Sequence, residues 1–227
     1  MVEITPFYEK KEECPLCKKI FTTTKIRSRF IKVVSYDTDF SPIYQDSEIN
    51  PLVYFVNVCP HCGYSYTEEF SRYFPTAILN EIKEKVCSRW VYQDYGKHRS
   101  IKEGINSYKL AYYCATLMHE KYVTLGGLAL RTAWLYRLLS SQEEEKRFLA
   151  IAVKQYEDSY SNGDFSRTKM SEMKILYLIG ELKRRLGLYE EATFYFSKVI
   201  GRQKFATEQK ILEMAKNQWQ KIRDARK

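Results

Sequence analysis

The sequence predicts an α+β fold that is mainly α, a small β head followed by a longer helical array. Three observations predict it. Two C-x-x-C units, Cys14 with Cys17 and Cys59 with Cys62, lie in the first third of the chain. Around them apolar and polar residues alternate, the period of half-exposed strands. After Pro75 the period becomes helical, and cap signals recur towards the C-terminus. The division expected from this change is residues 1–75 for a metal-binding domain and residues 76–227 for a helical-repeat domain.

Within the first part, residues 25–30 alternate charged with apolar or small side chains, and β-branched Val33 and Val34 extend the strand to Tyr36. An acidic stretch follows, with Asp37, Asp39, Asp46 and Glu48 and no basic residue between them. Asn50-Pro51 is a turn signal, and residues 52–58 form a β-prone run into the second cysteine pair. The Asp37-Thr38-Asp39 turn is expected to match its charge against the basic strand of Lys25, Arg27 and Arg29. Those three cations also offer a contact surface for nucleic acid.

The cysteines carry the firmest chemistry. In Cys14-Pro15-Leu16-Cys17 and Cys59-Pro60-His61-Cys62-Gly63, two residues between the sulfurs fold the backbone so that both face one point. Proline sets the turn, and a following glycine permits the left-handed conformation that closes it. Cys14, Cys17, Cys59 and Cys62 are the expected ligands of one structural zinc ion in a zinc-ribbon-like fold. Four thiolates leave no open position for water, so the metal is read as structural rather than catalytic. Three details qualify the pattern. The 41 residues between Cys17 and Cys59 require an elaborated hairpin. Lys18 stands where Gly63 stands in the second unit, and with Lys19 it offsets the negative charge of a four-thiolate site. His61 is an alternative ligand in principle, but the turn should point it outward.

From Thr76 onward, helices are expected near 76–92, 101–121, 125–139, 142–160, 167–186, 189–200 and 206–224. Ser100-Ile101-Lys102-Glu103 and Ser141-Gln142-Glu143-Glu144 have capping-box form, Thr124 and Ser166 are candidate N-caps, and Gly187 sits where a C′ glycine belongs. Short connections imply antiparallel hairpins. Leu176, Ile179, Gly180, Gly187, Tyr189, Ala192, Phe196 and Val199 follow the spacing of a tetratricopeptide (TPR) repeat, with Lys183 in place of the usual aromatic. A looser match precedes it, and a capping helix is expected from Thr207. The competing reading is a plain bundle of hairpins that meets the spacing by chance.

Charge and composition exclude some classes. Residues 1–75 hold 9 Lys/Arg against 10 Asp/Glu, and residues 76–227 hold 28 against 18, so the formal charge of +9 arises in the second part. No run approaches the roughly 20 apolar residues of a membrane span, and residues 1–13 contain no signal-peptide core. The expected compartment is the cytoplasm, where paired cysteines indicate metal rather than disulfides. Asp37 and Asp39 resemble a D-x-D metal motif but are better explained as an acidic turn. Cys87 and Cys114 read as core residues, and His98 and His119 lack partner motifs. Phosphate-loop, dinucleotide and nucleophile-elbow motifs are missing, so an enzyme is the weakest class.

Lys174, Tyr177, Glu181, Arg184 and Arg185 share one face of a predicted helix. In a repeat array that face lines the concave groove, where guanidinium forks and an aromatic suit an acidic peptide. The competing reading is a solvated face with an i,i+4 Glu181–Arg185 pair.

Several motifs together resemble a bacterial family known as domain of unknown function 2225. They are the CPxC unit, F-T-x-x-K-x-R from Phe21 to Arg27, D-T-D-F from Asp37 to Phe40, and N-P-L-x-Y from Asn50 to Tyr54. The CPxCGY unit and L-R-x-A-W-L-Y-R from Leu130 to Arg137 complete the set. The resemblance implies a bacterial cytosolic protein with zinc-ribbon-like and TPR-like parts, attaches no activity, and draws notice to Trp134. Three readings follow. The first is a protein–protein interaction module for a protein or peptide partner, acidic ones included. The second is RNA or DNA binding by the basic helical part, and the third is an enzyme using the Asp37/Asp39 turn.

Overall fold

The structure, a computed structural model, describes residues 4–202 and 208–225. It is an α+β, mainly α chain whose small strand pairs precede its long helices. Two compact units form, and neither is one continuous stretch. The first comprises the chain up to Tyr36, Pro42–Glu120 and Trp134–Ser141, and the second comprises Asp37–Ser41, Lys121–Ala133 and the chain from Gln142. Pro75 therefore marks the change from strand to helix but lies inside the first unit.

In the first unit, β1 (Phe7–Glu13) and β2 (Ile20–Ile26) pair antiparallel from Phe7↔Ile26 to Glu13↔Ile20, with the first C-x-x-C turn joining them. Strand β1 was not expected, because its run of Glu and Lys lowers strand propensity, and pairing with β2 overrides that preference. The expected strand over 25–36 is broken. A 3-10 turn, Ser28–Phe30, separates β2 from β3 (Val33–Tyr36), which pairs with β4 (Pro42–Tyr44). The β-prone run 52–58 is also largely not a strand. The Asn50 side chain accepts the Leu52 N–H at 3.0 Å, and Pro51 opens a 3-10 turn, Pro51–Tyr54. That turn buries three successive side chains, Leu52, Val53 and Tyr54, which the alternating faces of a strand could not do. Only β5 (Asn57–Val58) remains, paired with β6 (Ser65–Tyr66) around the second cysteine turn.

Helix α1 (Thr76–Lys85) stops earlier than expected and gives way to a 3-10 turn, Cys87–Arg89. Helix α2 (Ile101–Leu117) begins at the expected capping box. The Glu103 N–H donates to Ser100 Oγ at 3.2 Å, and the Ser100 N–H donates to Glu103 Oε2 at 2.7 Å. Its buried stripe, Ile105, Tyr108, Ala111, Cys114 and Ala115, faces the 3-10 turn and β6. Tyr108 ties the two by donating its hydroxyl to Leu52 O at 3.1 Å.

Helix α3 (Tyr122–Leu138) contributes its first part to the second unit and its last part, with Trp134, to the first. Thr124 lies within α3 rather than capping it. The second unit continues with α4 (Gln142–Asn162), α5 (Glu172–Arg185), α6 (Tyr189–Gly201) and α7 (Gln209–Asp224). Ser171, not Ser166, caps α5, accepting the Lys174 N–H at 3.1 Å. The expected start of the last helix near 206 and Thr207 lies outside the described residues.

Contacts from Glu172 to Arg202, Gly180 to Phe196 and Lys183 to Glu191 run in opposite directions along α5 and α6, so the two form an antiparallel hairpin. Gly187, with φ +82°, turns the chain between them. A Cβ at Gly180 would stand 2.9 Å from the Phe196 ring, so glycine is what permits this approach. Met173, Leu176, Tyr177, Ala192, Phe196, Val199, Leu212 and Ala215 form the core of α5, α6 and α7, with Phe40 packed against it. Lys183, the departure from the repeat pattern, is buried beside Glu157 (2.9 Å) and Glu191, with its ammonium over the Tyr195 ring.

Candidate functional site

Two constellations stand out, one in each unit. In the first unit the cysteine turns are copies of each other. Lys18 N–H donates to Cys14 O at 3.0 Å and Cys14 N–H to Lys19 O at 3.0 Å. In the second turn Gly63 N–H donates to Cys59 O at 2.8 Å and Cys59 N–H to Tyr64 O at 3.0 Å. The residue closing each turn is left-handed, Lys18 at φ 63° and Gly63 at φ 74°. Glycine takes that conformation freely, whereas lysine is strained in it. Gly63 is needed for space as well, because a Cβ there would stand 2.4 Å from the Trp90 ring. The Trp90 indole N–H donates to Pro60 O at 2.8 Å, which fixes the ring on this turn.

The turns bring four sulfurs together. Cys14 Sγ lies 3.7 Å from Cys62 Sγ, Cys17 Sγ lies 3.7 Å from Cys59 Sγ, and all four are within 4.8 Å of one another. A metal with thiolates at about 2.3 Å in a tetrahedron requires sulfur separations of about 3.8 Å. The cluster can therefore hold a metal ion. Crowding splits the thiols. Hydrogen bonds from the Cys14 and Cys62 thiols hold the Cys59 thiol below its ordinary value, while hydrogen bonding with Cys14 and Cys59 holds the Cys62 thiol above it. His61 is not part of the cluster, and its Nε2 lies 3.4 Å from Ile20 O. Cys114 is a core residue, as expected. It accepts the Ser65 N–H at 3.4 Å, and burial pushes its thiol up to about 12. Cys87, also expected in the core, is only half-buried, and burial raises its thiol.

The second constellation joins two segments that lie far apart in the sequence. Lys174, Tyr177, Glu181, Arg184 and Arg185 do share a face of α5, and the turn Asp37–Ser41 lies on it. Tyr177 donates its hydroxyl to Thr38 O at 2.8 Å, and its ring packs 5.5 Å from that of Phe40. Arg185 donates to Thr38 Oγ1 at 2.8 Å and pairs with Asp37 at 2.7 Å, Asp39 at 3.7 Å and Glu181 at 2.8 Å. Arg184 grips both oxygens of Glu181 at 2.8 Å, and Thr38 Oγ1 donates to Glu181. The Lys174 ammonium sits 5.0 Å from the centre of the Phe40 ring. Asp39 and Glu181 are fully buried. Burial also holds the Tyr177 phenol well above its usual value, keeping it a donor.

Phe40 adopts φ 66°, a rare conformation for a bulky residue, and within this turn its ring packs on the α5–α7 core. The face is thus neither an open groove nor a solvated surface in this structure. It is covered by the chain's own acidic turn. The expected charge partner of that turn is also corrected. Arg185 supplies it, while the Lys25 ammonium donates to Asn57 Oδ1 at 2.8 Å and Tyr54 O at 3.2 Å. Burial, with Arg99 nearby, lowers Lys25 to about 8, so it is a structural donor rather than a surface contact. Arg27 and Arg29 remain exposed, stacked over Tyr8 and Phe30. Trp134 is buried within α3.

No helix among the described residues is long and apolar enough to cross a membrane. A family model described as an uncharacterized protein conserved in bacteria (DUF2225) matches residues 7–222, and the chain belongs to that family. Searches of curated proteins and of solved structures return no match.

Proposed function

We propose that the protein is a non-catalytic cytosolic adaptor in which a zinc ion folds the cysteine turns and the α5 face captures an acidic, aromatic-bearing segment of a protein partner. One observation carries this reading: the way α5 holds Asp37–Ser41. Tyr177 reads a main-chain carbonyl, Arg185 reads a carboxylate, and Lys174 with Tyr177 frames an aromatic ring. Those are the elements by which a helical groove recognises an acidic peptide. The resident turn is then a built-in ligand, and a partner segment of similar chemistry competes with it.

Zinc is favoured as the metal because four thiolates in a tetrahedron suit it and close its coordination shell; iron shares that preference. A zinc site of this kind is worth on the order of 10 kcal/mol of folding energy. Reduced thiols at four ligand positions fit the cytoplasm. A catalytic role is disfavoured because Asp37 and Asp39, the carboxylates best suited to one, are engaged by Arg185.

The test uses a fluorescent peptide with the sequence of residues 36–42 and full-length, metal-loaded protein. An Asp37→Ala/Phe40→Ala variant, with its own turn released, should bind the peptide at least ten-fold more tightly than the unaltered chain. Arg185→Glu in that background should abolish binding. If neither form binds while both keep their helical signal and metal content, the groove reading fails. Elemental analysis of protein purified without added metal should give one zinc per chain, and iron would replace zinc in this account.

A further inference from the structure

The first unit carries a cleft that neither the cysteine cluster nor the acidic turn uses. It encloses about 420 Å³, within the range of small-ligand sites. Arg89 and Lys109 bring positive charge to its lining, and Gln93 and Asn106 bring amides that both donate and accept hydrogen bonds. Trp90 forms part of the wall and is itself pinned to the second cysteine turn through Pro60. Tyr92, between two lining residues, is 68% exposed, and its neighbour Val91 is 75% exposed. A tyrosine left so far in water contributes little to the fold. The surrounding charge is net positive, since residues 87–110 hold five Lys/Arg against two Asp/Glu.

We propose that this cleft takes one nucleotide unit, a base with its phosphate, from single-stranded nucleic acid. The features divide the work as such sites do. Trp90 in the wall and exposed Tyr92 two positions on in the chain offer flat faces for base stacking, Gln93 and Asn106 meet the hydrogen-bonding edge of the base, and Arg89 and Lys109 meet the phosphate. An acidic peptide fits less well, because it would use the cations and leave both amides and the exposed ring without a role. The site lies in the other unit from α5, so this inference stands independently of the peptide reading.

The experiment is fluorescence anisotropy of labelled U12 RNA and dT12 DNA with full-length, metal-loaded protein between 50 and 300 mM salt. Binding should weaken with salt, each phosphate contact contributing about −0.7 to the slope of log K against log salt. Arg89→Ala and Lys109→Ala should each reduce that slope by about 0.7. Tyr92→Ala should lose about ten-fold in affinity at every salt concentration. Arg89 and Tyr92 are exposed, so their replacement leaves the fold intact. Competition by UMP as effective per nucleotide as the oligomer would assign the same cleft to a free nucleotide. The proposal is overturned if the unaltered protein binds neither oligomer at 50 mM salt. Equal losses from Lys216→Ala on α7, or displacement of the oligomer by the peptide of residues 36–42, would overturn it as well.

Discussion

Replacing Arg185 with alanine tests the contact between the acidic turn and α5 most directly. The Arg185 guanidinium meets Asp37, Asp39, Glu181 and the Thr38 hydroxyl, and its side chain is only 18% exposed. Arg185 is the guanidinium that pairs with all three carboxylates, Asp37, Asp39 and Glu181, whereas Arg184 grips Glu181, so the substitution removes the cation shared by the cluster. Two of those acids are fully buried. Removing one partner from a buried ionic cluster costs about 3–5 kcal/mol, whereas an exposed pair is worth about 1 kcal/mol or less. Arg185→Ala should therefore destabilise the second unit by about 3 kcal/mol or more. Urea unfolding followed by circular dichroism at 222 nm reads this, because α4 to α7 supply much of the helical signal. With a urea slope of about 2 kcal/mol/M, the midpoint should fall by roughly 1.5 M. A double-mutant cycle with Asp37→Asn should give a coupling well above that of a surface pair. A loss under about 1 kcal/mol would refute the argument, since it would mean that water compensates Asp39 and Glu181 as readily as Arg185 does.

Three further outcomes follow from the cysteine turns and the Lys25 environment. Gly63→Ala should cost about 2 kcal/mol or more, because it adds left-handed strain and drives a methyl into the Trp90 ring, whereas Lys18→Gly should be neutral or stabilising by up to about 1 kcal/mol; thermal melts of the metal-loaded forms compare them. A chelator should unfold the strand pairs of the first unit while most of the α4–α7 signal persists, and metal retention should weaken with falling pH as protons compete for the thiolates; near- and far-ultraviolet dichroism separate the two signals. The Lys25 ammonium should titrate near pH 8 rather than 10.5. Because the unfolded lysine keeps its proton across that interval, this residue's contribution makes stability rise with pH between about 8 and 10.5; NMR of selectively labelled lysine checks the pKa.

The local features were legible in the sequence, and the long-range ones were not. Paired C-x-x-C units, the Ser100/Glu103 box and the glycines at 63 and 187 each announce a backbone conformation within a few residues, and each stands where expected. The β-prone letters of residues 52–58 misled because the Asn50 side chain and Pro51 impose a 3-10 turn, and burial of three adjacent side chains follows from that geometry. Strand β1 escaped because its charges mask a strand that exists only by pairing with β2. The Asp37–Ser41 turn and the α5 face were both singled out, yet nothing in the sequence joined them. Thr38 and Arg185 are 147 positions apart, and a contact at that separation leaves no periodic trace. Charge matching within the neighbouring sequence points the acidic turn at Lys25, Arg27 and Arg29, the wrong cations.

The placement of Asp37–Ser41 in the second unit also bears on how the polypeptide is made and cut. A five-residue piece leaves the ribosome more than a hundred residues before the helix that receives it, and it must wait for α5 to be synthesised. No single stretch of the gene encodes either unit, so a fragment beginning at residue 121 would present α5 with Tyr177, Glu181 and Arg185 stripped of their cover. Fragments prepared to study the helices alone would expose a charged face that the intact chain covers, as an artefact of the cut. Circular permutants that keep residues 36–42 ahead of the helical segment would not.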